Sequence, residues 1–146
     1  RGGFLVFTRS VATGGMAFTR AISVELGFPL PQAEEYKKTY GLAEGQLDGK
    51  IAQALKPIVE VIFSEIKRAL LSYREKRPDD IVKRVVLCGG SAKLPGLVVY
   101  LAQTLGIEVQ IGDPWFNIKK DQRRLQVLVE DAPVYAVAAG LALREV

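Results

Sequence analysis

An α/β fold is what this sequence predicts, on three observations. An uncharged run, Val85-Val86-Leu87-Cys88, ends in Gly89-Gly90 and feeds a helical pattern from Gly96 to Leu105. A second β-like run, Ile107 to Ile111, follows directly after Gly106. Two strands joined through a helix close into one sheet only as a parallel, right-handed crossover. The chain has 146 residues, 49% of them hydrophobic, which suits one domain with a real core.

The remaining elements follow in order. Gly2-Gly3 reads as a hairpin turn, and Phe4 to Ala12, aromatic and β-branched, as the strand leaving it. Thr13-Gly14-Gly15 breaks that strand. Phe18, Ala21, Ile22 and Leu26 fall at i, i+3, i+4 and i+8, the stripe of an amphipathic helix that Gly27 stops. Pro31 opens a second helix ending at Gly41, with Glu34, Lys37 and Lys38 on its outer face. Ile51 to Lys76 is the longest helical pattern, with Ile51, Leu55, Ile58, Ile62, Ile66, Ala69 and Tyr73 on one side. Pro57 should kink or restart it. Ile81 to Cys88 is the strand proper, expected to be buried on both faces. Asp113-Pro114-Trp115-Phe116 is a loop, and Pro133 to Arg144 a closing helix.

Composition removes several functions. With no His and a single Cys, a His-based triad, a zinc ribbon and a Cys/His pair are impossible. Cys88 is expected to behave as a small buried hydrophobe in a reducing compartment. The net charge of +4 is scattered; its densest stretch, Lys119, Lys120, Arg123 and Arg124, reads as a solvated loop rather than a nucleic-acid surface. No apolar run reaches the ~20 residues of a membrane helix. The chain begins at Arg1 without a Met or a signal peptide, and is expected to be a piece of a longer cytoplasmic protein.

Three places could carry chemistry. In Gly89-Gly90-Ser91-Ala92-Lys93-Leu94-Pro95-Gly96, a strand ends in two glycines before a helix. Glycine admits a ligand close to the backbone, and the carboxyl end of a parallel strand is where open α/β sheets bind ligands. The run fits neither the P-loop nor the G-x-G-x-x-G turn; its plain alternative is a tight turn that binds nothing. Glu34 and Lys37, one helical turn apart, could hold ribose hydroxyls or a nucleoside edge, or form an ordinary surface ion pair. Gly14-Gly15 stands before the first helix, where glycine also serves as a simple helix start.

Taken in order, these runs resemble the second half of an actin-like ATPase. Gly89 to Gly96 looks like the adenosine motif of that superfamily. Within it, the sequence resembles the type IV pilus assembly PilM family. The resemblance is carried by Phe7-Thr8-Arg9, Gly14-Gly15, Ala33-Glu34 to Gly41-Leu42, Glu65-Ile66-Lys67-Arg68 with Tyr73, Asp113 to Ile118, and Ala136 to Arg144. The bacterial division protein FtsA is the near neighbour. Residues 1–146 would then be the C-terminal part of an actin-like (ribonuclease H-like) domain, an incomplete sheet flanked by helices.

The resemblance implies an ATP-binding scaffold, peripheral to the cytoplasmic side of the inner membrane. It would bind the N-terminal tail of a PilN-like inner-membrane protein and couple to the pilus motor ATPases. Gly89, Gly90 and Ser91 would line the adenosine, Glu34 and Lys37 would reach the ribose and base edge, and Gly14 and Gly15 would lie near the nucleotide. In the full-length protein Mg²⁺ would accompany the ATP. The phosphate-gripping Asp-x-Gly turns and the PilN-tail region would lie upstream of residue 1, so the fragment is not expected to hydrolyse ATP. The alternatives are an FtsA-like filament protein and a sugar or acyl-group kinase; a kinase needs a catalytic acid beside its acceptor, and no such polar constellation is visible. The resemblance also implies a five-stranded sheet in which Phe4 to Ala12 is the third strand and Ile81 to Cys88 the fourth. An open apolar edge is costly and recruits other chains. The edge of strand 85–88 is therefore expected to be filled by a shifted strand 4–12, by a second copy, or by another chain.

Overall fold

The computed structural model describes residues 4–43, 45, 47–116, 118 and 125–144. It is a mostly helical α/β structure: α1 (Gly15–Leu26), α2 (Leu30–Tyr40), α3 (Lys50–Lys76), β1 (Arg84–Leu87), α4 (Leu97–Leu105), β2 (Glu108–Ile111), α5 (Leu125–Glu130) and α6 (Ala136–Ala142). Short 3₁₀ turns, Leu47–Gly49, Gly90–Lys93 and Ala132–Tyr135, precede α3, α4 and α6.

The helices form where apolar spacing asks for them. Phe18 and Ile22 of α1, Ala33 of α2 and Ile51, Leu55 and Val59 of α3 meet in one buried cluster with Leu97, Leu101 and Val109. α1 ends at Gly27, whose φ of 70° is the left-handed cap a side chain disfavours. Phe28, Tyr36 and Tyr40 stack edge-to-face, with centroids 5.0 and 5.6 Å apart, and brace the turn into α2. α3 runs through Pro57 as one helix, so the chain does not start a new helix there. Pro57 and Gln53 are both exposed, so the carbonyl that loses its helical donor is left on the side facing water.

β1 and β2 pair in parallel, with Arg84 opposite Glu108 and Leu87 opposite Ile111. The crossover through α4 is as the sequence implies, and Arg84 Nε donates to Glu108 Oε2 at 2.9 Å across the pair. Val85 and Leu87 turn towards the core while Val86 is exposed.

Several expectations need correction. Residues 4–12 form no strand; a β-prone sequence cannot be a strand without a ladder partner. They run instead beside α3, where Arg9 Nε donates to Glu65 Oε2 at 2.6 Å. The shifted strand 4–12 therefore does not fill the edge of β1, whose strand neighbour among the described residues is β2 alone. With two strands the sheet does not bury β1 on both faces, and Cys88 is exposed rather than buried. The strand expected from Ile81 starts at Arg84. The closing helix is divided into the 3₁₀ turn Ala132–Tyr135 and α6, and α5 falls where no element was expected. Gly2-Gly3 and the basic residues Lys119, Lys120, Arg123 and Arg124 lie outside the described residues.

Candidate functional site

The carboxyl end of β1 opens a cavity of about 410 Å³, within the ~300–1,000 Å³ of small-molecule sites. Phe18, Leu94 and Val134 supply its apolar walls, and Glu34, Lys37, Lys38, Ser91, Lys93 and Asp131 its polar groups. Gly90 lines it as well; a Cβ there would meet nothing within 4 Å, so the residue faces open space.

The Gly89–Gly96 run has a physical reason at each end. Gly89 has a φ of +85°, which glycine adopts without strain, and its N–H donates to the Pro133 carbonyl at 2.6 Å. At the other end, Leu42 N–H donates to the Pro95 carbonyl at 2.7 Å. A Cβ on Gly41 would lie 2.5 Å from the Pro95 oxygen, and one on Gly96 2.9 Å from the Leu42 carbonyl carbon. Only two glycines let these backbones touch. That contact docks the end of α2, which carries Glu34 and Lys37, onto the turn that carries Gly90 and Ser91.

Glu34 and Lys37 are not on an outward face of α2 as expected; the Lys37 side chain is only 12% exposed. Lys37 Nζ donates to Glu34 Oε2 at 2.6 Å, to Thr19 Oγ1 at 3.1 Å and to the Gly15 carbonyl at 3.2 Å. An ammonium has three donors, and these contacts use all of them. Thr19 Oγ1 donates to Glu34 Oε2 at 2.5 Å. Burial pushes the Glu34 carboxyl up, but hydrogen bonds from Lys37 and Thr19 and the neighbouring positive charge outweigh it and hold the pKa at about 2. Glu34 is therefore a fixed anion at neutral pH, with Oε1 only loosely approached by Lys38 at 3.4 Å. It is an anionic acceptor on the cavity wall, and Lys37 is the group that holds it there.

The sequence-derived residues separate into two sets. Glu34, Lys37, Gly90 and Ser91 line the one cavity. Gly15 stands behind it, where a Cβ would come within 3.1 Å of Ser91 Oγ, while Gly14 caps α1 and Gly89 shapes the turn. Phe18, Lys38, Leu94, Asp131 and Val134 were not singled out from sequence, nor was Lys93 within its motif. Lys93 and Leu94 sat in plain view of the glycine run; Asp131 carried no signal beyond its place before the closing helix.

A parallel α/β unit with a glycine turn and a polar-edged cavity at a strand's carboxyl end has the arrangement in which open α/β sheets offer a ligand site. The family model of the type IV pilus assembly protein PilM matches residues 1–146, and the chain belongs to that family. It is similar to a solved structure described as the PilM-PilN type IV pilus biogenesis complex, with 34% identity and a TM-score of 0.77 over 93% of this chain and 38% of that one. It is also 26% identical to the cell division protein FtsA of Escherichia coli K12, over 96% of this chain and 38% of that protein. FtsA of Shigella flexneri matches at the same identity over 36% of its length. The chain thus spans less than two-fifths of these relatives.

Proposed function

We propose that this chain is the adenosine-binding part of an ATP-binding scaffold for type IV pilus assembly, built on an actin-like fold. The observation that carries the nucleotide reading is the cavity itself, with Glu34 and Lys37 of α2 and Gly90 and Ser91 of the Gly90–Lys93 turn gathered from two separate elements onto one wall system. The residues fit a nucleoside. Phe18, Leu94 and Val134 suit a flat base, Glu34 Oε1 can accept from a ribose hydroxyl, and Gly90 leaves room where the ligand backbone would lie.

Among the described residues no three His, Cys, Asp or Glu side chains cluster to hold a metal. In the full-length protein Mg²⁺ would accompany the ATP, held through its phosphates. The family membership and the PilM-PilN relative support a PilN-like partner; a cytoplasmic position peripheral to the inner membrane and coupling to the pilus motor ATPases are further parts of the same proposal. The free edge of β1 is where further strands of the longer protein, or a second copy, would pair.

The test is copurification of the full gene product with its PilN-like membrane protein from detergent-solubilised cells. Specific recovery of that protein supports the pilus reading. Recovery of division proteins instead would favour the FtsA-like alternative, and recovery of neither kind of protein would overturn the scaffold assignment.

A further inference from the structure

Lys93 and Asp131 both line the cavity and pair with each other, Nζ to Oδ1 at 2.8 Å. They stand 38 residues apart, and their bond joins the Gly90–Lys93 turn to the Ala132–Tyr135 turn. The Gly89–Pro133 backbone bond ties the same two turns together. The pair is about half exposed, with side-chain exposures of 44% and 45%, and such pairs contribute little to stability.

The surroundings say what the pair faces. Leu94 follows Lys93 directly, and Val134 lies one helical turn beyond Asp131; both are apolar walls of the cavity. The Asp131 carboxylate cancels the Lys93 charge and would repel a phosphate. A neutral heteroaromatic ring meets neither objection. It lies against the apolar walls and presents ring nitrogens that accept from an ammonium.

We propose that Asp131 is a positioning residue for nucleotide binding: it holds the Lys93 ammonium at the cavity wall, where Lys93 donates to a ring nitrogen of a purine base. The inference rests on the nucleotide reading above and adds the part of the ligand that this wall contacts. Without Asp131 the Lys93 side chain is free to swing into solvent, and the base loses a fixed donor.

The experiment uses the full gene product and two probes, ATP and adenosine, with affinity read by calorimetry or competition. Asp131→Asn and Lys93→Gln should each weaken both probes by about tenfold, on the order of one charge-assisted hydrogen bond. The double variant should be no weaker than either single one, since the two residues act as a unit. Asp131→Glu should restore most of the affinity, and melting temperatures should stay near wild type throughout. Unchanged affinity in the single variants, or additive losses in the double, would overturn the proposal. A loss for ATP with none for adenosine would place Lys93 on the phosphates and overturn it too. Absence of ATP binding by the wild type is a different result, and sinks the nucleotide reading itself.

Discussion

Lys37 Nζ meets Glu34 Oε2 at 2.6 Å while also holding Thr19 and the Gly15 carbonyl, so one ammonium fastens α2 to the start of α1. Its work is structural before it is anything else, and it fixes Glu34 as an anion on the cavity wall.

That arrangement makes a pH prediction. The Glu34 carboxyl has its usual value of 4.5 in the unfolded chain and about 2 in the folded one. A depressed carboxylate contributes stability that is complete above the unfolded value and is lost as pH falls through the folded one. Denaturant melts of wild type and Glu34→Gln should therefore differ most above pH 4.5 and converge towards pH 2. At neutral pH the variant should be less stable by about 1–3 kcal/mol, the scale of a hydrogen bond between charged partners. A stability gap that does not change with pH would show that the ionised carboxylate is not what holds the two helices.

The contact of Gly41 with Pro95 makes a second. Gly41→Ala places a carbon 2.5 Å from a backbone oxygen, on a residue already at φ 49°. Gly96→Ala meets the Leu42 backbone in the same way. Each should cost more than ~2 kcal/mol, combining left-handed strain with a clash that only backbone movement relieves. Gly27→Ala has the same handedness, a φ of 70°, but open space around it, and should cost nearer ~1 kcal/mol. Chemical denaturation of the three variants checks the ranking. Equal losses would mean the close approach is not tight in solution.

The core prediction is plainer. Leu55 is fully buried between α1, α3 and their neighbours, so Leu55→Ala should cost ~2–5 kcal/mol through lost transfer energy and the cavity left behind. Val137, 74% exposed on α6, should change stability by less than ~0.5 kcal/mol on the same substitution. Equilibrium unfolding of the two variants decides it.

What the sequence told and withheld follows from the range of each interaction. The spacing of Phe18 with Ile22, and of Ile51 with Leu55 and Ile62, announces α1 and α3 because a helix is specified by neighbours three and four residues away. The glycine run at 89–96 is equally local, and four of its residues line the cavity at the end of β1. Phe4 to Ala12 misled because a strand exists only with a partner, and composition reports preference rather than pairing. Cys88 misled for a related reason: an apolar run is buried only if other strands and helices cover it. Lys93 with Asp131, and Thr19 with Glu34, are contacts across 38 and 15 residues that no local pattern encodes. Lys37 was visible as a candidate, but that its donors are all committed could be learned only from the fold.

The central claim is that the cavity at the end of β1 binds ATP through its adenosine. Its most direct test is ATP titration of the full gene product by calorimetry, wild type against Gly90→Val. The Val side chain enters the cavity at a backbone position that accepts it, since nothing lies within 4 Å of the new Cβ. Saturable binding by wild type, abolished in Gly90→Val with an unchanged melting temperature, is the predicted result. Wild-type affinity in a folded Gly90→Val protein would contradict the account.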